Sequence, residues 1–273
     1  MKISLINWHL KPKNTPLGAV PCAGLEAVYE GLTACGHSVR RTSNLCSISE
    51  GTVACWGWRR QIVGALQRLR KNILVAELGY IGDRRKNISL GWNGLNGHAT
   101  FPEYPDDGGE RFRAFGGEIK HWKKDGEYIL ILGQVKDDAS LKGQDIMPWY
   151  MEQARKASEY YGIPVYYRPH PESVRRRGYE SLDGFNNMGG TLQEAIGGAL
   201  FTIAYNSNSC LDSLLEGVPC FAGDKGTLVW DLCMRDIKEI VYPDREKIIH
   251  QIAWKQWTID EIKSGKPFER LFA

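Results

Sequence analysis

Residues 200–228 constrain the fold more than any other stretch, because they read as strand, turn, helix, turn and strand in immediate succession. The run LFTIA (200–204) is short, apolar and β-branched, as a buried strand is. Asn206, Ser207, Asn208 and Ser209 follow, with small polar side chains suited to a helix N-cap. Leu211, Leu214 and Leu215 then recur at helical spacing, and Gly217 stands where a helix stops. A second strand is expected over 218–222 and a loop over 223–227. A hydroxyl- and amide-rich turn at a helix start suits a phosphate. An ordinary capped crossover between parallel strands is the competing reading.

The same alternation runs along the chain. ISLI (3–6) opens as a strand, and a proline-rich loop is expected through Pro12, Pro16 and Pro21. Residues 23–35 form a candidate helix with Leu25, Val28, Tyr29 and Leu32 on one face and Gly36 as its stop. Strands are expected at 38–40, 52–56 and 73–76, with a helix at 61–69. Residues 91–126 are rich in glycine, proline, tryptophan and acidic groups without a period; they read as irregular structure, with 118–124 as a last strand or turn. YILIL (128–132) is a buried strand that opens a second unit. A helix over 147–161, a strand over 164–167, a short helix over 191–196 and terminal helices over 244–257 and 259–263 complete it. Such alternation makes an α/β protein with mostly parallel sheets, in two successive α/β units. The expected division is 1–125, 126–250 and a C-terminal helical segment, 251–273, packing back on the first domain.

Bulk properties exclude several classes. The 273 residues carry a net charge of only +3, so no whole-chain field demands nucleic acid. The positive charge is clustered, in Arg59-Arg60, 68–71, 84–86, 120–124 and 175–177. Those runs suit either solvated faces or a polyanionic partner. The seven cysteines (22, 35, 46, 55, 210, 220, 233) show no CxxC and no Cys/His ligand spacing, so no metal site is expected. Several lie in apolar runs and read as small buried residues, as in a reducing cytoplasm. The N-terminal apolar run is too short for a signal peptide, and nothing approaches a membrane span.

In parallel sheets, ligands bind beyond the carboxyl ends of the strands, so chemistry is sought there. Three elements of the second unit qualify. GQVKDDAS (133–140) follows a strand with a glycine that lets backbone approach a ligand. RPHP (168–171) holds a histidine between two prolines; His170 either contacts a phosphate or is a satisfied structural side chain. Ser207, Asn208 and Ser209 lead into a helix carrying Asp212 and Glu216, where a carboxylate could hold a ribose diol. The first unit offers Glu77 and Asp83 as candidate general bases, unless both simply pair with nearby arginines.

WGWR (56–59), AELGY (76–80), SLG (89–91), GQVKDDAS (133–140), YRPHP (167–171) and SNSCLDSLLEGVP (207–219) occur in an order that resembles the bacterial capsule-polysaccharide Kdo-transferase family. The resemblance covers roughly residues 52–230, GQVKDDAS being its most specific piece; the chain's length resembles a short phage-type relative. It implies two Rossmann-like domains facing across a cleft, the GT-B architecture. The N-terminal domain would take the acceptor, and the C-terminal domain an activated nucleotide-sugar as co-substrate, with no metal and no other cofactor. Carried onto this chain, it implies donor contacts from Gly133, Gln134, Asp138, Ser140, Arg168, His170, Ser207, Asn208, Ser209 and Asp212. The chain departs from the family at Glu77-Leu78-Gly79, which has one carboxylate where the family has two, so the catalytic acid falls to Glu77 or Asp83.

The expected function is cytoplasmic transfer of a sugar from a nucleotide-sugar to a hydroxyl of a polyanionic acceptor, gripped by Trp58, Arg59, Arg84 and Arg85. An acidic glycan or glycolipid fits, and so does hydroxymethylated pyrimidine in DNA, which an enzyme would flip from the duplex. Two other classes remain: a nucleotide-sugar epimerase or hydrolase, and a non-catalytic sugar-nucleotide binding module.

Overall fold

A computed structural model describes residues 1–7, 16–178 and 180–273. The chain separates into two compact units, residues 1–117 with 247–273, and residues 118–246.

The first unit begins β1 (Lys2–Ile6), α1 (Pro16–Ala34), β2 (Ser38–Thr42), β3 (Thr52–Trp56), α2 (Arg60–Arg68), β4 (Asn72–Leu78), β5 (Asn87–Trp92) and α3 (Glu110–Ala114). The second unit runs β6 (Tyr128–Leu132), α4 (Met147–Tyr161), β7 (Val165–Arg168), α5 (Pro171–Arg177), β8 (Asn186–Asn187), α6 (Leu192–Gly197), β9 (Ala199–Ala204), α7 (Ser209–Leu215) and β10 (Cys220–Ala222). The chain then closes with α8 (Glu246–Ile252), β11 (Gln256–Thr258), α9 (Ile259–Lys263) and α10 (Lys266–Leu271).

The first sheet has the order β11-β5-β4-β3-β1-β2. Its β1–β4 strands are parallel, whereas β5 runs antiparallel to β4 and β11 antiparallel to β5. The second sheet has the order β10-β9-β6-β7-β8 and is parallel throughout. Both sheets reverse direction of growth beside their first strand, between β1 and β3 in one and between β6 and β9 in the other. Crevices for ligands form at such reversals, beyond the strands' carboxyl ends.

The expected α/β class is therefore observed, and the differences have local causes. α1 starts at Pro16 and carries Pro21 inside it, where a loop was expected. Pro16 sits where a helix needs no N–H, and the buried face of Leu25, Val28 and Leu32 holds the rest. The earlier part of that loop, 8–15, lies outside the described residues. Residues 118–124 form neither strand nor helix. The helix expected over 244–257 ends at Ile252, and Gln256–Thr258 pairs with β5 instead. Gln256 explains this. It is fully buried, its Oε1 accepts from Tyr80 N and Ile81 N, and its Nε2 donates to Ile81 O.

Around the first sheet, one core joins Leu25, Val28 and Leu32 of α1 to Trp257, Ile262 and Phe268 of the C-terminal segment. The opposite face packs Val53, Cys55, Ile73 and Val75 against Ile62, Val63 and Leu66 of α2. In the second unit, Tyr150, Ala154 and Ala157 of α4 pack on Ile129, Ile131, Phe201 and Ile203.

One edge of the first sheet carries a titratable tie. Glu50 Oε2 accepts from Ser4 Oγ at 2.5 Å and from Arg40 Nη2 at 3.0 Å. The Arg40 and Ser4 hydrogen bonds hold its carboxyl at about 2, well below the usual range. A depressed carboxyl stabilises the fold above its unfolded pKa, and that contribution is lost as pH falls toward the folded value. The urea midpoint is therefore expected to fall with acidification over this range in the wild type, and less steeply in Glu50→Gln.

Candidate functional site

The second sheet's reversal point is where polar side chains converge. Gln134, two residues past β6, is almost fully buried. Its Nε2 donates to Ser140 Oγ at 2.7 Å and to Asn206 Oδ1 at 2.9 Å. Asn206, two residues past β9, is only 1% exposed. Its Nδ2 donates to Ser140 O and to Asp224 Oδ1, both at 3.1 Å. Asp138 caps the short turn at Ala139–Leu141 by accepting from Ser140 N at 2.8 Å and Ser140 Oγ at 2.6 Å. Asp224 also accepts from Gly226 N at 2.9 Å, tying the loop after β10 into the same web. The loops after β6, β9 and β10 are thus locked together by side chains rather than by sheet pairing.

Three polar atoms at this place are buried without a hydrogen-bond partner: Gln134 Oε1, Asn208 Oδ1 and Ser209 Oγ. Leaving a buried acceptor unpaired costs roughly 1–3 kcal/mol, a cost that a ligand or an ordered water at this place would relieve. Gln134 also lines a cavity of about 220 Å³ with Lys136, Leu141, Gln144, Asp145, Ile146, Met147 and Glu180.

His170 caps α5, its Nδ1 accepting from Glu172 N at 3.1 Å. Burial pushes its pKa down, against the pull of the nearby Asp138 charge. The ring is therefore neutral at neutral pH. With Nδ1 used as an acceptor, the proton lies on Nε2, which leaves one N–H to donate.

Among the expected donor residues, Gln134, Asp138 and Ser140 belong to this web, which adjoins Ser207–Ser209, and His170 lies near enough to feel the Asp138 charge. Ser207 Oγ accepts from Ser209 N at 3.2 Å and so caps α7 locally. Asp212 is partly buried one turn into α7. Gly217 ends that helix as expected: it has φ +76°, and Val218 N and Gly217 N donate back to Ser213 O and Leu214 O. Two residues have other local work. A Cβ on Gly133 would lie 2.6 Å from Tyr167 Oη and 2.9 Å from Arg168 O, so this glycine serves strand packing. Arg168 donates to the carbonyls of Met188, Gly189 and Gly190, fastening the loop after β8.

In the first unit, Glu77 lies near the end of β4, half-buried, with Oε1 accepting from Leu78 N at 2.9 Å. A Cβ on Gly57 would sit 3.2 Å from Glu77 Oε2, and the charges of both Glu77 and Arg59 reach the Cys55 thiol. Glu77, Gly57 and Arg59 thus share one strand-end neighbourhood. Asp83 is exposed in a turn, accepting from Arg85 N and pairing with Lys86 at 3.4 Å. Trp58 packs on the core face behind α2. Arg84 Nε donates to Tyr80 O, and Arg85 is exposed. Several basic runs are neutralised locally: Arg175 and Arg176 both pair with Glu172, and Lys120 with Glu216, each at 2.6 Å.

Sequence reasoning missed Asn206 and Asp224 as site residues. Asn206 reads as one more capping side chain in NSNS, and only the reversal of strand order places it against Gln134. No helix among the described residues is long and apolar enough to cross a membrane.

No protein-family model and no curated protein sequence matches this chain. Among solved structures it is similar to a β-Kdo 2,7 transferase of Thermosulfurimonas dismutans KpsC, with 14% identity, full coverage of both chains and a TM-score of 0.60. It is also similar to a β-Kdo 2,4 transferase of KpsC from the same organism, with 13% identity over 96% of this chain and 98% of that one, TM-score 0.60. At such identities the likeness is one of fold.

Proposed function

We propose that this chain is a glycosyltransferase whose second unit holds a nucleotide-sugar donor at the β6/β9 reversal point. The carrying observation is the web of Gln134, Asp138, Ser140, Asn206 and Asp224, with buried unpartnered atoms on Gln134, Asn208 and Ser209. In this reading, His170 Nε2–H and the Ser207–Ser209 turn meet the donor's phosphate, and Asp212 meets its ribose. The cavity beside Gln134 takes a ring of the donor. The shared fold of the two Kdo transferases supports the class of scaffold, and the transfer they carry out makes an activated Kdo the first donor to try.

The group proposed as general base is Glu77, which lies near a strand end beside Gly57 and Arg59; exposed Asp83 serves its own turn. The base takes the proton of the acceptor hydroxyl, whose oxygen bonds to the anomeric carbon, and the nucleotide phosphate leaves with the electron pair of the broken bond. The acceptor is proposed to be polyanionic, contacted by Trp58, Arg59, Arg84 and Arg85, and the reaction cytoplasmic. Salt-sensitive binding of duplex DNA, lost in Arg84→Ala/Arg85→Ala, would select the hydroxymethylated-pyrimidine acceptor over an acidic glycan or glycolipid.

A thermal-shift panel of CMP-, CDP-, UDP- and GDP-linked sugars tests the donor site. Ligands that bind only the folded chain raise its Tm, by about 2.7 kcal/mol of stabilisation at a hundredfold excess over Kd. One nucleotide is expected to stand out. A panel with no shift overturns the proposal, and donor turnover at full rate without any acceptor favours an epimerase or hydrolase. Glu77→Gln is expected to spare the donor-induced shift and lower transfer at least roughly a hundredfold, whereas Asp83→Asn leaves both near wild type.

A further inference from the structure

Three cysteines that no sequence spacing links meet inside the second unit. Cys210 lies in the first turn of α7, Cys220 opens β10, and Cys233 follows a short 3₁₀ turn at Trp230–Leu232. Their sulfurs all lie within 4.8 Å of one another. Cys210 and Cys220 are 0% exposed and Cys233 is 5% exposed, and none is in a disulfide. The segment carrying Cys233 runs beside β10, with Met234 N donating to Cys220 O at 2.8 Å.

Two further groups complete the surroundings. Thr227 adjoins Cys210, is 1% exposed, and its hydroxyl oxygen has no hydrogen bond of good geometry. Arg235 brings its positive charge to bear on Cys233. Three soft sulfur donors and one neutral oxygen donor are the ligand types that thiophilic cations take.

We propose that Cys210, Cys220 and Cys233 bind a thiophilic d¹⁰ cation, Zn²⁺ or Cu⁺, with Thr227 as the neighbouring neutral donor. Tetrahedral zinc with bonds of about 2.3 Å spaces its sulfurs about 3.8 Å apart, which these side chains reach by sub-ångström shifts. Binding replaces three S–H bonds by three metal–sulfur bonds and releases three protons to solvent. Three thiolates around Zn²⁺ leave one net negative charge, beside the Arg235–Asp231 ion pair. The ion would clamp α7, β10 and the 229–234 segment together, directly behind the loops that carry Asn206 and Asp224. This inference stands apart from the donor-site reading, because its readout is metal alone.

The test uses the full chain, stripped of metal under reducing conditions and titrated with Zn²⁺ against a chromophoric chelator, with a Cu⁺ titration in parallel. One equivalent of either ion is expected to bind with proton release and a rise in Tm, and Co²⁺ substitution should give sulfur-to-metal charge-transfer absorption. Cys220→Ala is expected to abolish all four signals, while Cys46→Ser, at an exposed cysteine, keeps them. Cys233→Ala, at the least buried position, guards against a folding defect; its metal-free circular dichroism and Tm should match wild type while binding is lost. Failure of both ions to bind, binding unchanged in Cys220→Ala and Cys233→Ala, or a disulfide formed among the three in place of metal uptake, would each overturn it.

Discussion

Arg111→Met is expected to destabilise the first unit by about 1.5–3 kcal/mol, because the partly buried Glu261 carboxylate loses its two-pronged partner and keeps only the Lys266 ammonium at 3.6 Å. Arg111 joins α3 to the C-terminal segment. Its Nη1 and Nη2 grip Glu261 at 2.7 and 3.0 Å, Nε donates to Ala253 O at 3.0 Å, and Nη2 to Gln256 O at 2.7 Å. The guanidinium also lies over the rings of Phe115, Trp254 and Trp257, at 4.4–4.9 Å. Methionine restores the apolar volume but none of the donors. Burial pushes the Glu261 carboxyl up, yet the Arg111 hydrogen bonds and the Thr258 N–H outweigh it and the net pKa is lowered. Stability linked to Glu261 is therefore present above the ordinary glutamate range and lost as pH falls through the folded value. In Arg111→Met that dependence should weaken or reverse. Adding Glu261→Gln removes the charge that has lost its main partner while keeping an oxygen for Thr258 N, and should recover part of the loss. Urea titrations read by hydrogen exchange at β11 amides measure all three chains, without assuming that two units unfold as one.

Asn206→Ala is expected to cost about 3 kcal/mol, and to weaken donor binding about a hundredfold. The side chain, itself 1% exposed, accepts from Gln134 Nε2 and donates to Ser140 O and to Asp224 Oδ1. Alanine leaves several of these partners unpaired at once, and the loops after β6, β9 and β10 lose their common tie. Asn206→Asp is nearly isosteric yet should be as harmful, since it sets one carboxylate against another at Asp224. The double variant Asn206→Asp/Asp224→Asn restores a donor facing an acceptor and should recover part of both losses. Such recovery is a pairwise coupling that a merely space-filling asparagine would not show.

Much of the fold was legible because its elements are locally written. β6 is five apolar residues, α4 keeps its apolar face in register, and α7 ends at a glycine that adopts the left-handed conformation its position needs. Other elements exist only through tertiary pairing. β8 is two asparagines that become a strand by lying beside β7. β11 continues a helix-like pattern until the buried Gln256 amide supplies Tyr80 and Ile81 with an acceptor. The site followed the same division. GQVKDDAS points to Gln134, Asp138 and Ser140, whereas the close fit of its glycine against Tyr167 and Arg168 depends on the neighbouring strand. Asn206 was hidden among interchangeable caps, and the cysteine cluster was hidden because its members come from a helix, a strand and a loop.

The most direct measurement of the central claim is a calorimetric titration of wild type and His170→Asn with the nucleotide that gives the largest thermal shift. Asparagine keeps an acceptor for Glu172 N, as a good N-cap, but removes the Nε2–H donor. The account predicts one site in the wild type, at least tenfold weaker binding in His170→Asn, and the same ligand-free Tm for both. Equal affinity in the two chains, or no nucleotide binding by the wild type, would contradict it.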